Sequence, residues 1–381
     1  MFDKRLAYVK PTLFDSMSVG NVASTMSLEH PRGWPCIVSR RFIFFASALS
    51  FKRMGANFVQ DDEIVYQVSP LLTIYKSGRV DRPLDAVIVP ADAADLADLA
   101  DTAGVSFKDL VISSDTGHVS ARLYLPKRVA TQARKVPLLF YFHGGGFCIG
   151  NPFMRCFHDY VVSLVEQANV VAVSVDYRLA PEHPIPAAYE DAWTALRWAT
   201  AGATADLWLA DHADFDRVFL AGESAGANIA HHTAMRAAKE ALHPGSVGLR
   251  GIVLVHPYLL GSNPLPSEEI NPGMTAGLKR MWEIAYPAGA GDVDHPWINP
   301  LAEGAPSLTG LGSRRVLVCL AEEDVMRDRG REYFQRLREG GWEGESELYE
   351  SPAKGHAFHL LEADSQQRLA LDQAICNFLI I

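Results

Sequence analysis

From about residue 104 onward, the chain alternates between short apolar runs and longer amphipathic stretches. Eight runs have the length of strands: residues 109–113, 120–126, 137–143, 170–177, 217–222, 251–257, 315–321 and 346–351. From the third run onward they consist mostly of Val, Leu and Ile. Continuous apolar strands are typical of a parallel sheet that is covered on both faces. Helical patterns lie between them, at residues 157–168, 187–200, 226–242 and 330–341. The alternation predicts one doubly wound α/β sheet, spanning residues 104–381.

The first 53 residues fall outside this rhythm. They contain many serines and eight Lys or Arg against three acids, which resembles a transit peptide weakly. The other interpretation is a disordered leader, or an extension upstream of a protein that could start at Met54. We therefore expect a chain that begins at Met54 to fold and to be active. The longest apolar run here, residues 42–51, is too short to span a bilayer.

Two further segments interrupt the pattern. Residues 54–103 are expected to form an N-terminal cap or lid. Residues 258–313 are rich in Pro and Gly and contain a short helical stretch at 277–286. Long insertions in α/β enzymes usually build lids or pocket walls, although surface decoration is the alternative. Trp282 and Trp297 favour the pocket wall, because these large side chains are costly to leave fully solvated.

Charge and cysteine content narrow the class of partner. The 381 residues carry a net charge of −10 without a basic stripe, so nucleic acid and anionic membranes are not expected partners. Five cysteines without a CxxC spacing indicate free thiols, with neither a disulfide framework nor a zinc site. We predict a cytoplasmic protein, or an organellar one if residues 1–53 act as a transit peptide. The sequence does not predict an oligomeric state.

The sequence contains one G-x-S-x-G motif, Gly222 to Gly226, centred on Ser224. An apolar strand precedes the motif and a helix follows it directly, which is the context of a nucleophile elbow. Glycines two residues before and after the serine let strand and helix cross closely. The hydroxyl is then exposed at the carboxyl edge of the sheet. The motif therefore predicts Ser224 as a nucleophile.

A serine nucleophile needs a base, and the base needs an orienting acid, which in this chain order follow the serine. Four acids compete after the next-to-last strand: Glu322, Glu323, Asp324 and Asp328. Asp324 is favoured because it lies a few residues past the strand and before the next helix. His356 follows a glycine in the loop after the last strand, and His359 is its rival. His231 and His232 are interpreted as surface or packing residues.

Three consecutive glycines, Gly144 to Gly146, end the buried strand at 137–143. A tetrahedral oxyanion on the substrate would need converging backbone N–H groups. Glycine leaves room for the substrate and can adopt a positive φ. The sequence therefore predicts an oxyanion hole formed by Ala225, Gly145 and Gly146, with Gly144 as a further candidate. His143 is interpreted as a residue that pins this loop.

The chain resembles the plant carboxylesterases of the hormone-sensitive-lipase group from about Asp62 to its C-terminus. The motifs that carry the resemblance occur in order: "DEIVYQ", "IYKSGRVDRP", "FHGGGF", "VDYRLAPEHPIPAAYEDAW", "GESAGANIAHH", "DHPWINP", "EEDVMRDRG" and "GHAFHL". The resemblance implies an α/β-hydrolase fold, with an eight-stranded, mostly parallel sheet, helices on both faces and an N-terminal cap. It places the nucleophile, acid and base on Ser224, Asp324 and His356.

The resemblance also implies a reaction and its rivals. The main expectation is a cofactor-free and metal-free serine carboxylesterase that acts on esters of small organic molecules. The same group includes hydroxyisoflavanone dehydratases and lactone-forming transacylases, which a triad alone does not distinguish. It also includes hormone receptors that replace the catalytic histidine. His356 is present here, which argues against a receptor.

Overall fold

The computed structural model describes residues 62–68, 70–91, 104–113, 119–132, 134–201, 206–240, 248–289 and 291–380. The predicted leader, residues 1–53, lies outside this described part, as do residues 54–61 and 92–103 of the predicted cap. No helix in the described ranges combines the length and the apolar character needed to cross a membrane.

The main sheet has eight strands, which confirms the predicted α/β-hydrolase architecture. In chain order they are β4 (Val105–Ser113), β5 (Val119–Pro126), β6 (Val136–Phe142), β7 (Val171–Asp176), β8 (Ala213–Glu223), β9 (Gly251–Val255), β10 (Arg315–Ala321) and β11 (Glu345–Ser351). Their order across the sheet is β11-β10-β9-β8-β6-β7-β5-β4. Strand β5 pairs antiparallel with both of its neighbours, and every other pair is parallel.

A separate sheet of three short antiparallel strands precedes the main one. Its strands are β1 (Ile64–Val68), β2 (Leu72–Tyr75) and β3 (Val80–Asp81), in the order β1-β2-β3. The sequence pattern predicted no strands here, because only Leu72 and its neighbours on β2 are well buried and the rest is too polar to stand out.

Ten helices are assigned in the described ranges. They are α1 (Lys127–Ala130), α2 (Arg155–Ala168), α3 (Ala187–Thr200), α4 (Leu207–His212), α5 (Ala225–Ala237), α6 (Pro266–Ile270), α7 (Pro272–Ala285), α8 (Arg327–Glu339), α9 (Phe358–Leu361) and α10 (Gln366–Ile380). The four helical patterns recognised in the sequence correspond to α2, α3, α5 and α8.

The apolar strands bury both of their faces, as their composition predicted. In β6, Leu138, Phe140 and Phe142 join one core cluster, while Leu139 and Tyr141 join the cluster on the opposite face. Successive side chains of a strand point to opposite faces, so a continuous apolar run supplies both cores. Each fully buried Leu or Phe contributes about 1.5–3 kcal/mol to the free energy of unfolding.

Parallel pairing brings the carboxyl ends of five strands to one edge of the sheet. The residues paired at these ends are Phe142 with Gly222 (β6 and β8), Glu223 with Val255 (β8 and β9), Val255 with Cys319 (β9 and β10) and Ala321 with Ser351 (β10 and β11). Residues just beyond these ends therefore meet at the same edge, where ligands bind in open α/β sheets. The residues predicted to carry chemistry all follow these strand ends.

Candidate active site

Ser224 lies on the turn between β8 and α5 and has an unusual backbone conformation. Its φ is 55° and its ψ is −116°, which is strained for a residue with a side chain. The two flanking glycines make this turn possible by close approach. An added Cβ at Gly226 would overlap the carbonyl oxygen of Phe142, and one at Gly222 would overlap the backbone of Gly226. The elbow predicted from G-x-S-x-G is therefore built as a tight strand–turn–helix crossing.

Asp324 and His356 lie against each other beyond the ends of β10 and β11. His356 Nδ1 is 2.8 Å from Asp324 Oδ2, while the other Asp324 oxygen accepts from the Met326 amide at 3.0 Å. Burial acts to raise the pKa of Asp324, but the charge and hydrogen bond of His356 outweigh it and lower the pKa below its usual value. Asp324 is thus a buried carboxylate with the histidine as its partner.

None of the rival side chains forms a hydrogen bond with Asp324 or His356 in the described part of the chain. Glu322 and Glu323 are exposed, and Asp328 pairs with Arg327 and with the Ser267 amide. His359 is buried on α9, and neither of its ring nitrogens has a hydrogen-bond partner in the described part of the chain. Of the sequence candidates, the structure brings together only Asp324 and His356.

The protonation of His356 is set by opposing effects. Burial acts to lower its pKa, but the charge of Asp324, their hydrogen bond and the charge of Glu223 together raise it above the usual value. Between the described residues no hydrogen bond joins Ser224 Oγ to His356. Such bonds are often long in free enzymes and tighten when substrate binds.

The glycine loop after β6 has the positive φ values that the sequence led us to expect. Gly145 has a φ of 114° and Gly146 a φ of 59°. The Gly145 carbonyl accepts from the amides of Cys148 and Ile149, at 3.0 and 3.1 Å, which closes the loop. Within the described ranges, the amides of Gly145, Gly146 and Ala225 donate to no protein acceptor. Three amides without a protein acceptor therefore remain at this edge of the sheet.

Gly144 differs from its two neighbours. Its φ is not positive, and an added Cβ would overlap the Glu223 carboxylate. The Gly144 amide is close enough to that carboxylate to lower its pKa, although burial has the larger effect and raises it. The Gly144 amide is thus directed at Glu223, unlike the free amides of Gly145 and Gly146.

His143 pins the loop, as its position suggested. Its Nδ1 lies 2.7 Å from the Gly144 carbonyl oxygen, and its ring stacks on Tyr177 with centroids 4.3 Å apart. The Tyr177 hydroxyl donates to the His143 carbonyl at 2.7 Å. Burial lowers the pKa of His143 to about 4, against the effect of the Gly144 bond. This histidine is therefore a neutral structural group.

Arg82, which sequence reasoning missed, fastens the N-terminal segment to the far side of the same loop. Its Nε donates to the Cys148 carbonyl at 2.6 Å, and one Nη donates to the Ala180 carbonyl at 2.8 Å. Both terminal nitrogens also pair with Glu182. Three residues on, Asp85 accepts from the Gly150 amide at 3.1 Å. The run "SGRVDRP" offered no signal for this, because a charged surface turn has the same composition.

Two other titratable groups near the site, Glu223 and His256, were also missed. Glu223 Oε1 lies 3.8 Å from His356 Nε2, and the whole side chain is buried. His256 follows β9, and one of its ring nitrogens lies within 4.8 Å of one possible ligand atom each of Asp324 and His356. That spacing could hold a metal ion. However, His356 and Asp324 already bond to each other, and His256 bonds to the Ala357 amide.

The insertion 258–313 packs on the oxyanion loop. An added Cβ at Gly146 would overlap the end of Met281 on α7, and the rings of Phe147 and Trp282 are 6.2 Å apart. Trp282 is fully buried, and Trp297 is partly buried. The insertion therefore forms a wall beside the glycines.

His231 and His232 were interpreted as surface or packing residues, and both pack in the protein: His231 is buried and His232 is half-buried. His231 Nδ1 pairs with the Tyr333 hydroxyl, and His232 Nε2 pairs with the Trp297 carbonyl, each at 2.9 Å. Burial lowers the pKa of His232 to about 4. Neither ring reaches the triad candidates through these bonds.

A strained serine between strand and helix, a histidine–aspartate pair and a loop with free amides together define a serine hydrolase site on an α/β-hydrolase fold. The family described as alpha/beta hydrolase fold matches residues 139–360. The chain belongs to this family and, within it, to the plant carboxylesterases.

Three plant relatives illustrate the similarity, each aligned to 84% of this chain. The 2-hydroxyisoflavanone dehydratase of Glycyrrhiza echinata is 41% identical and covered to 97%. Tuliposide A-converting enzyme 1 of Tulipa gesneriana, described as chloroplastic, is 41% identical and covered to 79%. Probable carboxylesterase 13 of Arabidopsis thaliana is 41% identical and covered to 98%.

Solved structures give the same fold. The esterase of the archaeon Pyrobaculum calidifontis is 28% identical, with a TM-score of 0.61 over 72% of this chain and 85% of its own.

Proposed function

We propose that Ser224, Asp324 and His356 are the catalytic triad of this carboxylic ester hydrolase. Ser224 Oγ attacks the ester carbonyl carbon while His356 Nε2 takes the hydroxyl proton. Asp324 orients the imidazole and stabilises its charge. The observation that carries this assignment is the 2.8 Å contact between His356 and Asp324, at the sheet edge where the strained Ser224 lies.

The amides of Gly145, Gly146 and Ala225 bind the oxyanion of the tetrahedral intermediate. They are suited to this role because they have no other acceptor among the described residues. The C–O bond to the alcohol then breaks, and the alcohol leaves with the proton from His356. Water, deprotonated by His356, attacks the acyl-enzyme and releases the acid. No step requires a metal or cofactor.

A substitution of the nucleophile tests this proposal. Ser224→Ala is expected to lower turnover of a short-chain aryl ester by about 10⁶, and to abolish covalent labelling by an organophosphorus reagent. Ser262→Ala, at an exposed serine, serves as the control and keeps both properties. Labelling of Ser224→Ala at the wild-type rate, located by mass spectrometry, would show that another residue is the nucleophile.

A dehydratase is the second candidate, favoured by the 2-hydroxyisoflavanone dehydratases of Glycyrrhiza echinata and Glycine max at 41% and 40% identity. Elimination of water from such a substrate needs a base such as His356, but no acyl-enzyme. A lactone-forming transacylase would instead form the acyl-enzyme and pass the acyl group to an internal hydroxyl. Incubation with a 2-hydroxyisoflavanone, and separately with a hydroxyacyl ester, distinguishes these reactions by their products.

The cellular location remains a prediction. Free thiols favour the cytoplasm, whereas two tulip relatives described as chloroplastic favour an organelle. Fluorescent fusions at the C-terminus of the full chain and of a chain beginning at Met54 would separate the two. A chloroplast signal that depends on residues 1–53 would establish them as a transit peptide.

A further inference from the structure

The end of β9 and the turn after it form backbone hydrogen bonds with Ser224 and with β10, the strand that leads to Asp324. The Ser224 amide donates to the Val255 carbonyl at 2.9 Å, and the Tyr258 amide donates to the Ser224 carbonyl at 3.0 Å. The His256 amide donates to the Cys319 carbonyl of β10 at 2.8 Å. The same turn therefore holds the nucleophile and the strand that leads to Asp324.

The side chain of His256 reaches the loop that carries the base. Its Nδ1 accepts a hydrogen bond from the Ala357 amide at 3.1 Å. Ala357 directly follows His356 and has a φ of 54°, while His256 itself has a φ of 46°. Two residues in left-handed conformations are thus joined beside the base, and such conformations persist only when their surroundings hold them.

The chemistry of His256 suits this contact. Since Nδ1 accepts, the ring proton lies on Nε2, which is buried and has no partner in the described ranges. Burial lowers the pKa of His256 to about 3, with Asp324 opposing and His356 adding to the effect. The ring is therefore neutral, so it does not compete with His356 as the positively charged partner of Asp324. A lysine or arginine could not accept this bond, and a carboxylate would place a second negative charge beside Asp324.

We propose that His256 is a positioning residue that holds the His356 loop against Asp324 through the Ala357 amide. The proposal rests on the triad assigned above. Removing the acceptor would free the loop, and a displacement of about 1 Å in a catalytic group can cost about 10² in turnover. His356 would also lose part of its contact with Asp324, which is what raises its pKa.

His256→Leu and His256→Asn test the proposal, because Asn keeps an acceptor near the position of Nδ1 and Leu does not. We expect Leu to lower kcat by about 10–100-fold with KM little changed. Asp324 and Glu223 are the titrating groups that raise the pKa of His356, and in His256→Leu the contact with Asp324 is weaker. The pKa of His356 should therefore fall, and the acid limb of the kcat/KM profile should move to lower pH. Asn should stay within about threefold of wild type, with an unmoved acid limb.

His359→Leu is the matched control. His359 is as buried as His256, and their rings are 5.3 Å apart, but its nitrogens hold no partner among the described residues. It should change the melting temperature without moving the acid limb. A His256→Leu enzyme with wild-type kcat and acid limb would overturn the proposal. If His256→Leu does not fold, His256→Asn is the decisive variant. A tenfold loss of kcat with a shifted acid limb in His256→Asn would equally overturn the proposal, because Asn keeps the acceptor.

The failure of this inference is distinguishable from the failure of the proposed function. If Ser224→Ala still hydrolyses esters, the triad is wrong and the His256 proposal fails with it. If Ser224→Ala is inactive while His256→Leu behaves as wild type, only the positioning role is wrong.

Discussion

The turn that carries Ser224 and the loop that follows His143 are both rich in glycine, but they use glycine for different reasons. In the turn, Gly222 and Gly226 have no positive φ, and backbone atoms occupy the space where a Cβ would lie. In the loop, Gly145 and Gly146 have positive φ values. The first glycine pair provides space alone, whereas Gly145 and Gly146 also provide a left-handed conformation.

The strain is also distributed differently. In the turn, the left-handed φ falls on Ser224, which keeps its side chain because the hydroxyl is the proposed nucleophile. In the loop, the left-handed residues include two glycines, and only Phe147, with a φ of 64°, carries a side chain there. A residue that needs its side chain is therefore strained at a positive φ, whereas the loop can place glycines there because only their backbone amides are used. This difference leads to four predictions.

Ser224→Gly should have the largest effect and should separate chemistry from strain. Turnover falls by about 10⁶, as for Ser224→Ala. Glycine relieves a strain of about 1–3 kcal/mol and loses about 0.5–1 kcal/mol through chain entropy. We expect a net gain of about 1 kcal/mol and a melting temperature about 1–2 °C above that of Ser224→Ala. Equal melting temperatures would show that the turn stores no strain at this residue.

Gly226→Ala should be the next largest. The new Cβ would overlap the Phe142 carbonyl oxygen, a backbone atom at the end of the central strand β6. We expect the free energy of unfolding, measured by denaturant titration, to fall by about 3 kcal/mol or more. Turnover, measured by ester hydrolysis, should be lost as well. An active, stable Gly226→Ala enzyme would mean that the glycine is not required for close approach.

Gly145→Ala should impair catalysis more than stability. Its φ of 114° disfavours alanine, and the Cβ would overlap the Ile149 carbonyl, so the loop must shift and its amide with it. Loss of one oxyanion donor typically lowers turnover about 10²–10³-fold. The melting temperature should fall by less than in Gly226→Ala, because the loop lies at the sheet edge. Wild-type turnover in Gly145→Ala would show that the glycines of "HGGGF" form a turn and do not bind the oxyanion.

Gly146→Ala should have the smallest effect. A φ of 59° costs alanine only about 1–2 kcal/mol, and the atom in the way is the flexible end of Met281. We expect turnover within about tenfold of wild type, and full recovery in Gly146→Ala combined with Met281→Ala, read as a double-mutant cycle. A loss as large as in Gly145→Ala would contradict this ranking of the two glycines.

Local patterns predicted most of the strands but not all of their bounds. Strand β10 matches its predicted range, residues 315–321, because every residue after Arg315 in this buried strand is apolar. Strand β8 begins at Ala213, four residues before the prediction, because its polar start pairs with Val136 and Pro137 of β6. Pairing with a neighbour adds residues whose own pattern carries no signal.

The sequence by itself determined the α/β alternation, the elbow around Ser224 and the loop of Gly144 to Gly146, because each is specified by residues that are contiguous in the chain. Short-range sterics and hydrophobic periodicity suffice for such features. The sequence also limited the acid to four candidates and the base to two.

Only the tertiary structure showed which of those candidates lie together, and only it revealed the contacts of His256, Glu223 and Arg82. Asp324 was distinguished from Glu322 by burial and by its 2.8 Å contact with His356, which lies 32 residues away in the chain. His256 contacts Ala357 across 101 residues. The physical reason is that parallel pairing brings the carboxyl ends of distant strands to one edge, and the strand order that does so is set by packing of the whole sheet.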